Sequence, residues 1–140
     1  KSRVSNRVHL VATAIVAMVG NAREFDSGRQ FAAWIGLVPG QYSSGGKARL
    51  GRITKAGDAY LRRLLVLGAR AVLNAAASKT DSLSRWAIAV RERRGYWKAV
   101  VAIAAKNARI LWTVMTRGEA FDARRVSVKP AAPAAATAAA

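Results

Sequence analysis

Apolar residues return at helical spacing along most of the chain. Leu61, Leu64, Leu65, Ala69, Val72 and Leu73 share one face of a predicted helix, with Arg62, Arg63 and Arg70 away from it and Thr54 as the expected cap. Polar residues from Ser78 to Asp81 break that helix. The next runs from Ser82 to Arg94 and is striped by Leu83, Trp86, Ala87 and Val90. Arg91, Arg93 and Arg94 crowd its end, where cations complement the helix dipole, and Gly95 stops it. The last long helix, Tyr96 to Arg117, places Val100, Ile103, Ala104, Leu111 and Val114 on one side and Lys98, Lys106, Arg109, Thr113 and Arg117 on the other. Asn107 interrupts the apolar side, where a buried amide without partners costs about 1–3 kcal/mol.

Two shorter helices precede these. Phe31, Trp34 and Ile35 fall at i, i+3, i+4 after the acids and cap of Glu24 to Ser27, and Pro39-Gly40 ends that element. The run Leu10 to Val19 is predicted as a buried helix stopped by Gly20-Asn21. Lys1, Arg3 and Arg7 before it imitate a secretory signal, but the run is too short to span a bilayer. No β-type alternation of useful length is present. The expected class is therefore all-α: a compact bundle of about five helices, with a Gly/Ser-rich basic loop between the second and third. Residues 1–122 read as one helical domain. Residues 123–140 turn basic and then Pro/Ala-rich, which cannot build a core and is expected to be disordered.

Charge narrows the partners. With 24 Lys and Arg against seven acids, the net charge is +17, a density that releases counterions from polyanions. Nucleic acid is the expected partner. A membrane is not, because the basic residues are spread over several elements instead of one amphipathic helix. The absence of Cys removes disulfides, thiolate ligands and a cysteine nucleophile, and with His9 alone of its kind a zinc site is not expected.

Chemistry concentrates in residues 39–57. Ser43 and Ser44 offer hydroxyls, Gly45 and Gly46 let backbone amides turn toward an anion, and Lys47, Arg49, Arg52 and Lys55 add charge. The spacing excludes a nucleotide-binding P-loop: counted from Gly40, Lys and a hydroxyl are required where Gly46 and Lys47 stand. The acids are scattered, so no metal site is expected in this chain. Two readings of the loop stay open. One is a serine nucleophile for a phosphorus centre, with amides and Lys47 holding the nonbridging oxygens. The other is a polar turn that binds a backbone phosphate and does nothing more.

Phe31-Ala-Ala-Trp-Ile-Gly-Leu-Val-Pro39, Gln41-Tyr-Ser-Ser-Gly-Gly-Lys47, Gly51-Arg-Ile-Thr-Lys-Ala-Gly57 and Leu61-Arg-Arg-Leu-Leu65 resemble the C-terminal domain of transposases related to Piv DNA invertases, the bridge-RNA-guided insertion-sequence recombinases. Val100 to Arg109 and Trp112 resemble that family's last helix, and the likeness runs from about Ala14 to Asp122. It implies a two-part enzyme. A ribonuclease-H-like N-terminal domain carries four metal-binding acids, where Mg2+ is expected, and this helical domain supplies a serine nucleophile. The implied nucleophile is Ser44, with Ser43 the lesser candidate. The chain departs from the family at residues 1–10, which lack its Gly-rich hairpin and are expected to be truncated or non-native, and at Asn107, where the family more often has an apolar residue.

The resulting expectation is a transposase fragment, inactive alone, acting on DNA with a guide RNA in the bacterial cytoplasm at the nucleoid. It binds no cofactor itself and joins an oligomer when complete. Lys47, Arg49, Arg52, Lys55, Arg62, Arg63 and Arg70 are the expected nucleic-acid contacts. The alternative is a non-catalytic basic helical module that binds DNA or RNA.

Overall fold

The computed structural model describes residues 13–118, with the backbone alone at Tyr42, Ser43, Ser44, Ala48 and Leu50. His9, the atypical residues 1–10 and the tail 123–140 lie outside the described residues. The body is helical, as the periodicity predicts. Helix α1 covers residues 13–19 and is followed by a 3-10 turn, Ala22–Glu24. Helix α2 spans Gly28–Ile35, α3 Ala59–Ala76, α4 Ser82–Arg94 and α5 Tyr96–Arg117. Between α2 and α3 lie two strands, β1 (Pro39–Ser44) and β2 (Lys47–Ile53).

Helix α5 is the spine. It packs against α2, α3 and α4, and its end is tied down where Trp112 Nε1 donates to the Ala22 carbonyl at 3.0 Å. Phe31, Ile35, Leu37, Leu61, Leu73, Val100 and Ile103 are fully buried. Each such side chain contributes about 1.5–3 kcal/mol by leaving water. By length and a mean hydropathy of 1.2, α5 alone among the described helices meets the measure of a membrane span, yet three other helices cover it.

Local signals account for most boundaries. Ser27 Oγ accepts from the Gln30 amide at 3.2 Å to start α2, and Asp81 accepts from both the amide and the hydroxyl of Ser84 to start α4. Those bonds from Ser84 hold the Asp81 carboxyl below its usual pKa. The start of α3 differs from expectation. Thr54 Oγ1 accepts from Ala56 in a local turn, and Asp58 is the cap, accepting from Leu61 at 2.8 Å. Lys55 and Gly57 have φ of 55° and 75°, left-handed backbone that no helix can include, so α3 begins only after them.

Three further expectations change. The stretch read as a loop is an antiparallel hairpin. Lys106, placed by its period on the polar side of α5, is buried at 9% exposure with its ammonium 4.9 Å from the Trp86 ring centre. Asn107 is half-buried, and among the described residues no buried side-chain nitrogen or oxygen lacks a partner, so the amide is not the expected weak point.

Candidate nucleic-acid interface

The hairpin turns at Gly45-Gly46. Both have positive φ, 63° and 78°, the pair of values a type I′ turn demands, and Ser44 and Lys47 flank it as cross-strand partners. The glycines whose amides were expected to turn toward an anion are the two central residues of this turn. Toward the root the register shifts: Pro39 pairs with Ile53 and Gln41 with Leu50, so Gly51 and Arg52 together oppose Gly40. Such a bulge bends the strand and re-aims a side chain. Here the two residues of the bulge are Gly51 and Arg52.

The root is clamped to the helices. The Thr54 amide donates to Val38 and the Lys55 amide to Gly36, at 3.0 and 3.2 Å. Arg62 Nη1 donates to the carbonyls of Ile35 and Ala56 at 3.2 and 3.1 Å, bridging the end of α2 to the lead-in of α3. Gly57 lies so close to Trp34 that a Cβ there would collide with its carbonyl oxygen. The hairpin thus projects from a fixed base.

Beside that base lies a groove of about 920 Å³, lined by Arg29 from α2, Arg52 and Lys55 from the hairpin root, Arg94 from α4 and Lys98 and Arg109 from α5. Its lining includes Leu37, Val38, Ile53, Val101 and Trp97, and no acidic residue. Gly28 rests against the backbone and stem of Arg109, where even a Cβ would stand 3.1 Å from its Cα, and this brings Arg29 beside Arg109. Burial, and then the charge of Arg29, lowers the pKa of Arg109 below its usual range.

The structure distributes the expected site residues over three places. Ser43, Ser44, Lys47 and Arg49 belong to the outer hairpin, with Lys47 and Arg49 exposed. Arg52 and Lys55 line the groove at its root; the strand between Pro39 and Ser44 spans about 17 Å at ~3.4 Å per residue. On α3, Arg62 turns inward to its two carbonyls, Arg63 is exposed, and Arg70 sits over the Trp97 ring at 5.7 Å. Sequence reasoning missed Arg29, Arg94, Trp97, Lys98 and Arg109 as site residues. Lys98 and Arg109 carried a signal, their shared polar side of α5, but only packing joins them to the hairpin. Among the described residues no group of three or more His, Cys, Asp or Glu can hold a metal ion.

Fold and surface define a class: a small helical module that carries a projecting hairpin over a cationic groove. Comparison with known proteins gives the family. Residues 9–85, more than half of the chain, match the transposase IS116/IS110/IS902 family. Over 106 residues the chain is 56% identical to a probable family 20 transposase of Pseudomonas aeruginosa, covering 76% of this chain and 31% of that protein. It is 48% identical over 113 residues to the transposase for insertion sequence element IS1111A of Coxiella burnetii, covering 81% of this chain and 31% of the relative. The transposase for element IS1328 of Yersinia enterocolitica is 38% identical over 113 residues, 81% of this chain and 34% of that protein. The chain belongs to the IS116/IS110/IS902 family of transposases and spans about a third of the length of these relatives.

Proposed function

We propose that this chain is the part of a DNA transposase that supplies the serine nucleophile and a basic surface for DNA and a guide RNA. The observation that carries the reading is the hairpin: it offers Ser44 beside a tight turn, opposite Lys47, on a base clamped to the helical body. A nucleophile needs such fixed presentation to approach phosphorus in line. In the reaction, Ser44 Oγ forms a bond to phosphorus as the bond from phosphorus to a deoxyribose oxygen breaks. The proton lost by serine is balanced by the one the leaving oxygen gains, and the phosphoserine ester keeps the bond for return to another DNA end. Lys47, Arg49 and Arg52 hold phosphates, while Arg63 and Arg70 extend the charged surface along α3.

Among the described residues no group of three or more His, Cys, Asp or Glu could hold a metal ion to activate the serine. The reading assigns that activation to a ribonuclease-H-like domain with Mg2+, within the length that the relatives have and this chain does not cover. It places the assembled oligomer in the bacterial cytoplasm, on nucleoid DNA. The test joins the chain to such a domain, adds the guide RNA and a suicide DNA substrate, and maps the trapped residue by mass spectrometry. A phosphoserine ester at Ser44, lost in Ser44→Ala and retained in Ser43→Ala, is expected. An adduct at Ser43, or one that survives Ser44→Ala, overturns the assignment. Nucleic-acid binding with no adduct in any variant supports the non-catalytic binding module instead.

A further inference from the structure

The groove at the hairpin root has a composition that phosphate binding alone does not call for. Six cations and no acid line it, and Arg29 and Arg109 stand near enough to repel, so a polyanion is the complementary occupant. Its apolar residues decide which polyanion. A duplex turns sugars and phosphates outward and keeps the faces of its bases stacked inside, so the half-buried Val38, Ile53 and Val101 gain little by touching it. An unpaired base has an apolar face to bury.

Trp97 points the same way. At 64% it is the most exposed large hydrophobic side chain among the described residues, so its indole contributes little to the core. The ring is nevertheless steadied. The Arg70 guanidinium lies over it at 5.7 Å, and Tyr96 meets it edge-on with ring centres 5.2 Å apart at 82°. The result is an oriented aromatic surface at the edge of a cationic groove. About 920 Å³ is also near the top of the ~300–1,000 Å³ range of small-ligand pockets, which suits a few nucleotides of strand.

We propose that the groove holds a short single-stranded segment of nucleic acid, phosphates on its cations and one unpaired base laid on Trp97. The proposal deepens the nucleic-acid reading above and rests on it for the class of partner. Its test has no covalent step, so failure of the serine assignment and failure of this site are separate outcomes.

The experiment is fluorescence anisotropy with the whole chain and three labelled probes of about 12 nucleotides: a dT strand, an abasic strand with the same phosphates, and a duplex. The dT strand is expected to bind more tightly than the abasic one. Trp97→Ala is expected to weaken the dT strand about 10- to 100-fold, the equivalent of ~1.4–2.8 kcal/mol, and to change the other two probes less than about twofold. Trp97→Phe restores most of the affinity. Thermal melting checks that the alanine variant is folded; if it is not, the abasic comparison on the unaltered chain and Trp97→Phe still decide. Equal affinity for dT and abasic strands, or equal weakening of all three probes by Trp97→Ala, overturns the proposal.

Discussion

Ser44 and Lys47 stand directly opposite one another across the hairpin ladder, on either side of the Gly45-Gly46 turn. Ser43, one position back, is paired with Ala48 instead. If the serine reading holds, Lys47 is the cation placed to steady charge on the reacting phosphate. Lys47→Ala in the joined protein is then expected to slow strand exchange about 10²-fold, the usual scale for losing one charge-stabilising donor. Equilibrium binding loses only one of many phosphate contacts. Single-turnover rates beside a binding isotherm check this. Equal losses in rate and in binding mean that Lys47 is an ordinary phosphate contact.

Gly57 and Gly68 make a paired test of the fold. At Gly57, φ is 75° and a Cβ collides with the Trp34 carbonyl, whereas a Cβ at the helical Gly68 meets nothing within 4 Å. Gly57→Ala is expected to destabilise by more than about 2 kcal/mol, since the left-handed backbone alone costs ~1–2 kcal/mol. Gly68→Ala is expected to stabilise by about 0.5–1 kcal/mol through helix propensity. Urea unfolding measures both. A neutral Gly57→Ala contradicts the clamped hairpin root.

The helices from α3 onward were legible because their apolar stripes are long and their ends are marked, α3 by the polar run from Ser78 to Asp81 and α4 and α5 by Gly95 and Gly118. Gly45-Gly46 was legible as a flexible point of a loop, with a polar turn as one of two open readings. The strands around it were not, because the bulge that sets Gly51 and Arg52 against Gly40 breaks the period of two. Lys106 shows the limit of periodicity within a helix: its position relative to α5 is right, but Trp86 on α4 determines that it is covered. The groove is harder still. Arg29, Arg52, Arg94 and Arg109 come from four separate segments, and no window of sequence contains them together.

Lys106 carries a pH prediction. Its pKa is lowered from the usual 10.5, chiefly because burial disfavours the ammonium and then because Arg109 repels it. The folded chain therefore holds this proton less tightly than the unfolded chain. Between the lowered value and 10.5 the unfolded state binds more protons, so this group makes stability rise with pH; below that window the folded state bears the cost of the buried charge. Lys106→Met removes the titration while keeping an unbranched side chain. The stability of the unaltered chain relative to Lys106→Met is expected to improve as pH climbs from neutral toward 10.5. A difference that is flat with pH, or that falls, means the ammonium is not penalised by burial.

Arg62 and Arg63 are neighbours in sequence and opposites in setting. Arg62 is half-buried, with Nη1 donating to the carbonyls of Ile35 and Ala56, while Arg63 is exposed on the surface of α3. Hydrogen bonds from a charged donor contribute about 1.5–3 kcal/mol, so Arg62→Ala is expected to cost roughly that much stability and to loosen the hairpin root. Its salt dependence of nucleic-acid binding should stay that of the unaltered chain wherever the variant is folded. Arg63→Ala is expected to change stability by less than about 0.5 kcal/mol, as surface substitutions do. If Arg63 meets a phosphate, its loss reduces the slope of log K against log salt by ~0.7 for a single strand or ~0.9 for a duplex. Urea unfolding and a salt titration of each variant separate the two roles. A stable Arg62→Ala with a reduced salt slope assigns Arg62 to the nucleic acid and removes it from the clamp.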